Sequence, residues 1–245
     1  MKLSIICPIL KLTNDLHLLL HSLRCFIPKD YDYEVLIVTT DSDCSIIQSE
    51  YPEIRIIWEE IPRGVYAAMN MGIGQSKGDY LYFSGQDDHV LSGFTKLLET
   101  CIELELDYCV GSVFWGDSKI FYSTRSKYVL WFNNWCHQAI VYRRSLFDEQ
   151  KYNENYRIQA DHAINLCLRH NSKHRVKIIR SAVAWFSGAG LSSSNKDYIF
   201  WADVPRFATL YCRPIERSIV KFLHYLISSY SKMKNRNNIN RITNK

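Results

Sequence analysis

The chain has 245 residues, 47% apolar and 22% charged, with a net charge of +5. That length suits one large domain, or one domain with an appendage, and it can bury a sizeable core. The balance excludes a disordered, collagen-like or disulfide-stapled chain, and no apolar run is long enough to span a bilayer. The eight cysteines form no CxxC pair and sit mostly in apolar runs, which predicts reduced, buried thiols and a cytosolic protein. Met1-Lys2 runs straight into a short strand, so no signal peptide is expected. The mild positive charge suits phosphorylated ligands or an anionic membrane surface and gives no reason to expect a nucleic-acid partner.

In chain order, Leu3 to Cys7 is a nearly all-apolar strand that Pro8 should end. Thr13 or Asn14 can cap a helix carrying Leu16, Leu19, Leu20 and Leu23, which stops before Pro28. Glu34 to Val38 is a second buried strand, followed by the polar turn Thr39 to Asp43; Ile54 to Trp58 is a third strand. Pro62 to Asp88 is the most informative stretch. Gly64 frees a turn after Arg63. Tyr66, Met69 and Ile73 share a helical face, and Tyr80 to Phe83 is a short strand ending at Gly85-Gln86-Asp87-Asp88. Two adjacent carboxylates at the carboxyl edge of an open α/β sheet are costly unless a cation joins them. A hard divalent ion that also grips phosphate fits such a pair.

Beyond Asp88 the pattern predicts a helix from Gly93 to Glu105 and a strand from Tyr108 to Phe114. The aromatic segment from Trp115 to Trp135 has no clean period and reads either as irregular core or as a sugar-binding wall. Cys136-His137-Gln138 leads into a strand ending at Tyr142, and a helix follows from Ala160 to His170 with Asp161 in its first turn, where the helix dipole favours a carboxylate. Two short strands are expected at Val176–Ile179 and Ala182–Trp185. A flexible loop at 188–192 and a helix capped by Asn195 and running to Tyr211 follow them. A last helix opens at Pro214 with the apolar stripe Ile215, Ile219, Phe222, Leu223 and Leu226 among basic residues, and the asparagine-rich end is expected to be disordered. It reads either as a solvated helix or as an interfacial anchor on anionic lipid. The alternation of strands and helices predicts an α/β fold over residues 1–211, with an extension over 212–245.

The motifs resemble those of the family 2 inverting glycosyltransferases of GT-A fold, in particular the bacterial branch that builds O-antigen, capsule and other surface polysaccharides. Arg63-Gly64-Val65-Tyr66-Ala67-Ala68-Met69-Asn70-Met71-Gly72 is similar to that family's longest signature. The Ser4-to-Pro8 strand, the strand into Gln86-Asp87-Asp88, His137-Gln138, the run Tyr156 to Asp161 and the glycine-rich loop at 188–192 match further elements. The resemblance implies a Rossmann-like mixed sheet flanked by helices. It implies Mn2+ or Mg2+ held by Asp87 and Asp88, and Asp161 as catalytic base. Pro8, Thr39, Asp41, Arg63, Tyr66, Asn70, Gln86, Asp88, His137 and Gln138 fall at substrate- or nucleotide-binding positions. The implied partners are a nucleotide-sugar donor, by family habit a UDP-sugar, and a lipid-linked oligosaccharide acceptor. The chain departs from the pattern at Thr39, Pro62, Ala67 and Gly85, where acids are usual. Two other readings stay open: a carbohydrate- or membrane-binding protein that kept the fold without the chemistry, and a nucleotidyltransferase. The second needs a glycine-rich loop after the first strand, and Pro8 to Thr13 contains no glycine.

Overall fold

The computed structural model describes residues 2–116, 119–188 and 197–243, with side chains described as far as residue 227 and at 229. The expected contributions of Asn195 and of most of the 188–192 loop fall outside the described residues. The chain divides into two compact units, Met1–Asp197 and Tyr198–Lys245. That boundary lies ahead of the one expected at residue 212, so the helix before Pro214 belongs with the last helix.

Among the described residues of the first unit, nine strands form one mixed sheet. In chain order its elements are β1 (Lys2–Ile9), α1 (Asp15–Phe26), β2 (Asp32–Thr39), α2 (Cys44–Glu50), β3 (Ile54–Trp58), α3 (Val65–Gln75) and β4 (Tyr80–Phe83). Then come β5 (His89–Val90), α4 (Gly93–Glu103), β6 (Tyr108–Trp115), β7 (Lys119–Phe121), β8 (Ile140–Arg143), α5 (Leu146–Glu149), α6 (Ala160–His170) and β9 (Val176–Phe186). The strand order is β3-β2-β1-β4-β8-β6-β9-β5, with β7 paired to β6. The first four strands in space are parallel, while β8 runs antiparallel to both β4 and β6. Leu3, Ile5, Ile6, Val35 to Val38 and Leu81 to Phe83 are fully buried, as expected of strands covered on both faces.

Three features refine the sequence expectations. Pro8 does not end β1, which continues to Ile9 with Pro8 opposite Val38. On its other side β4 reaches only as far as Ile6, so the missing Pro8 N–H lies beyond that ladder and costs no hydrogen bond there. The two strands expected between Val176 and Trp185 are one strand, β9, whose pairing with β6 is irregular around Ser112 and Ala182. Helix α3 lies so close to the sheet that a Cβ on Gly72 would stand 2.5 Å from Ile6 Cγ2. Gly64, at φ 110°, turns the chain into that helix in a conformation other residues rarely adopt.

The second unit holds α7 (Tyr198–Tyr211) and α8 (Pro214–Thr243). Helix α8 runs on through the asparagine-rich end that composition assigns to disorder. His224 Nε2 lies 2.8 Å from the Trp201 carbonyl, tying the two helices together. Ile215, Ile219, Phe222 and Leu226, one stripe of α8, remain exposed.

Candidate active site

The site is assembled at the carboxyl edge of the parallel strands, where β4 ends and β8 begins. After Phe83 the chain makes a tight turn. The Gly85 N–H donates to Asp88 Oδ2 at 2.9 Å, and Gln138 Nε2 donates to the same oxygen at 2.8 Å. Gln138 is itself fixed, since its Oε1 receives the Cys136 thiol at 2.7 Å and its backbone carbonyl accepts the Tyr82 hydroxyl at 2.9 Å. Asp88 is 2% exposed, and its other oxygen, Oδ1, is buried with no hydrogen-bond partner. Burial, with Asp87 adding its charge, pushes the Asp88 carboxyl up to about 6, against the pull of Gln138 and the Gly85 N–H. Asp87 is exposed and accepts the Ser187 hydroxyl on Oδ2 at 2.6 Å.

An orphaned buried carboxylate oxygen beside a second, exposed carboxylate is a donor set that a hard cation completes. Among the described residues no three His, Cys, Asp or Glu side chains gather to hold an ion by themselves. Two carboxylates joined by substrate phosphate oxygens are nonetheless a common way to hold Mg2+. The residues present therefore fit the expected ion. The structure also accounts for Gly85 where an acid is usual, because a Cβ there would stand 2.7 Å from Asp87 Oδ1 and 3.0 Å from Asp88 Oδ2.

Asp161 forms the second centre. It sits in the first turn of α6, 7% exposed. The Tyr66 hydroxyl lies 2.8 Å from its Oδ1 and 2.6 Å from the Ile158 carbonyl, one proton between two acceptors. Asn134 Nδ2 donates to Oδ2 at 2.8 Å, and His137 Nδ1 stands 3.7 Å from that oxygen. Burial pushes the Asp161 carboxyl up, but the neighbouring His137 imidazole, the Tyr66 hydroxyl and His162 outweigh it and hold the group below its ordinary value. The approach to α6 is anchored by Asp197, whose Oδ2 accepts the Ile158 and Gln159 N–H groups at 2.9 and 3.3 Å. An aromatic cluster of Phe83, Tyr142, Phe147, Tyr152 and Tyr66, with ring centroids 5.2–6.0 Å apart, packs behind.

The two centres meet at one 3-10 turn, His137–Ala139. Gln138 holds Asp88 while its neighbour His137 faces Asp161. The structure thus brings together Asp87, Asp88, His137, Gln138, Tyr66 and Asp161.

Other expected positions build the walls. Gln86 clamps the loop after β1 by two bonds, accepting from Thr13 N at 2.9 Å and donating to the Lys11 carbonyl at 2.7 Å. Asp41 holds the same loop through the Leu12 N–H at 2.8 Å. Thr39 is fully buried, with its hydroxyl accepting the Asp41 N–H, so its side chain faces inward. Asn70 and Arg63 do not contact the carboxylates. Asn70 bonds both the N–H and the carbonyl of Tyr152, and Arg63 pairs with Glu154 at 3.3 Å. Both line a separate cleft of about 370 Å³ along α3. Of the aromatic segment, Trp131 and Trp135 are core, while Trp115, Tyr122 and Tyr128 are exposed. The sequence reading missed Asn134, Asn165 and Ser187. Asn165 had a faint signal, four residues after Asp161 and so on the same face of α6. Asn134 and Ser187 had none, since their partners are distant in sequence.

The profile of Glycosyl transferase family 2 matches residues 4–165. The chain belongs to this family. As a family 2 glycosyltransferase it is 30% identical over 190 residues to the PGL/p-HBAD biosynthesis glycosyltransferases of Mycobacterium bovis and Mycobacterium tuberculosis, covering 71% of this chain and 73% of theirs. Its fold is similar to that of TarS from S. aureus, at TM-score 0.67 and 16% identity over 85% of this chain and 65% of that structure. The same TarS fragment in complex with UDP-GlcNAc is similar at TM-score 0.67 and 17% identity, with 85% of this chain and 66% of that one covered. The chain spans 39% of the longer TarS structure. At such identity the likeness shows the fold, which is that of the GT-A transferases, a mixed α/β sheet flanked by helices.

Proposed function

We propose that this family 2 transferase moves a hexosyl or N-acetylhexosaminyl group from a nucleoside diphosphate donor, UDP first among them, to a hydroxyl of a lipid-linked glycan, with inversion, in surface polysaccharide synthesis. The observation that carries the reading is the His137-Gln138 turn, which sets an acidic pair and an isolated ionised carboxylate on either side of one short element. An acidic pair suits the diphosphate end of a donor, and an isolated carboxylate suits the acceptor.

Asp87 and Asp88 are the residues that would hold Mn2+ or Mg2+. Such an ion would supply positive charge against the negative charge that grows on a departing diphosphate. The chain's own residues do the rest. Gln138 and the Gly85 N–H fix the Asp88 carboxylate. Gln86 and Asp41 keep the loop after β1 in place as a wall for the nucleotide. Asp161 accepts the proton of the acceptor hydroxyl as its oxygen attacks the anomeric carbon. Proximity supplies much of the remaining rate gain, and one displacement inverts the anomeric centre. The exposed stripe of α8 supports a peripheral contact with the inner membrane surface, where lipid-linked acceptors reside. Among the described residues no helix is long and apolar enough to cross a membrane.

The test is a panel of nucleotide sugars offered with Mn2+ and a lipid-diphosphate-linked sugar, with NMR of the product. A β-linked product from an α-linked donor supports the reading. Retention at the anomeric carbon, or no thermal stabilisation by any nucleoside diphosphate, refutes it.

A further inference from the structure

Behind Asp161 lies a line of polar groups, buried except for the half-buried Asn134, that neither the sequence motifs nor the reaction above uses. The Tyr142 hydroxyl donates to Asn165 Oδ1 at 2.9 Å; Asn165 Nδ2 donates to Asn134 Oδ1 at 2.9 Å; Asn134 Nδ2 donates to Asp161 Oδ2 at 2.8 Å. Tyr142 and Asn165 are fully buried. The three residues come from β8, from α6 and from the segment just before the His137 turn.

The direction of this line is set from the Asp161 end, because an ionised carboxylate only accepts. Asn134 must therefore present its nitrogen to Asp161 and its oxygen to Asn165. Asn165 in turn presents its nitrogen to Asn134 and its oxygen to Tyr142, whose single hydroxyl proton it takes. If either amide alone turned over, two like groups would face each other between Asn134 and Asn165, and turning Asn134 would also set an oxygen against the carboxylate. The line thus delivers a donor to Asp161 and cannot easily receive one from it.

We propose that Tyr142, Asn165 and Asn134 form a one-way chain of hydrogen-bond donors that holds the Asp161 carboxylate in one orientation, with Asn134 and Tyr142 as positioning residues. The proposal rests on the reading of Asp161 as the base. It adds that the base is biased by its surroundings: once Asp161 has taken a proton, the chain still offers it a donor and no acceptor, which favours return to the ionised form. The other groups facing Asp161 are Tyr66 from α3, Cys136 and His137 from the turn, His162 on α6 itself and Tyr152 ahead of it. Of these, Tyr66 and His137 also favour the ionised form.

The experiment follows the 13C carboxyl resonance of Asp161 through a pH titration of the full chain without substrate, assigned with Asp161→Asn. Asn134→Ala removes the last donor. Tyr142→Phe removes only a hydroxyl, keeps the ring contacts with Phe83 and Phe147, and lies three hydrogen bonds from the carboxylate. In Asn134→Ala the proton affinity of Asp161 is expected to rise roughly tenfold or more, and in Tyr142→Phe by a smaller factor in the same direction. With the donor and acceptor identified by the panel, kcat of Asn134→Ala falls about 10- to 100-fold while the donor KM stays within about twofold. Identical Asp161 titrations in wild type and both variants overturn the chain. So does a loss that appears in donor KM rather than in kcat. If instead Asp161→Asn transfers sugar normally, the base reading fails, and the titration still decides whether the chain exists.

Discussion

At the scale of single residues, the two carboxylate centres are built in opposite ways. Asp88 is buried with one oxygen unpaired, so its charge is left exposed to correction by a ligand. Asp161 is buried with donors on both oxygens, so its charge is already stabilised. Asp161→Asn should therefore retain UDP affinity within about twofold in calorimetry, yet lose transfer by roughly 100- to 10,000-fold, the usual worth of a positioned base. Transfer at the wild-type rate would show that another group takes the proton. Asp87→Ala is expected to make UDP binding insensitive to Mn2+. The same manganese-dependent rise in Tm as in wild type would count against Asp87 as a ligand.

At the scale of elements, the parallel half of the sheet is held by a buried ion in its own right. Glu34 on β2 accepts the Ser4 hydroxyl of β1 at 2.7 Å, the Lys77 N–H at 2.7 Å, and the Arg55 guanidinium of β3 at 3.1 Å. Burial pushes this carboxyl up, but those three donors more than reverse it and hold it below its ordinary value. A carboxyl lowered by folding stabilises the protein above its unfolded pKa, near 4.3, and ceases to do so as pH falls through the folded value. Glu34→Gln should cost about 2 kcal/mol at pH 7, and the gap between urea titrations of the two proteins should shrink steadily as pH falls from about 4.3 towards the lower folded value. A gap that does not shrink with falling pH would mean the loss is one of packing rather than charge. How far these elements were legible follows from where their stability comes from. β1 to β4 and α3 were visible because each carries its own apolar pattern. The pair Asp87-Asp88 and Asp161 were visible because their motifs are local. β5, two residues long, and β7, three, exist only because β9 and β6 pair with them, and no pattern so short can be read in advance. The Asn134 bond to Asp161 was hidden for the same reason. The contacts of Arg63 and Asn70 with the 152–154 segment could not be read from their motif position.

At the scale of the whole molecule, charge is divided unevenly. Residues 198–245 contain nine Lys and Arg against two Asp and Glu, a net +7, which leaves the first unit at −2 of the chain's +5. On α8 this excess accompanies an apolar stripe in which Ile215 is 78% and Phe222 60% exposed. Basic charge beside an apolar helical face is what anionic lipid headgroups and acyl chains jointly attract. The full chain should therefore sediment with vesicles containing phosphatidylglycerol and release as salt is raised. The double variant Ile219→Glu with Phe222→Glu should stay in the supernatant. Equal sedimentation of that variant would remove the stripe from any role at lipid.

The candidate site draws on Tyr66, Asp88, Gln138 and Asp161, four stretches separated by long reaches of chain, and the turn that joins its halves leads into β8, which pairs with both β4 and β6. A ribosome-bound chain that has emerged only as far as the acidic pair carries two carboxylates but lacks Asp161, the proton acceptor proposed above. Such a fragment should be inert toward activated sugars. On the proposed mechanism, a nascent chain would therefore not turn over donor until translation had passed Asp161 and β9 had paired with β6.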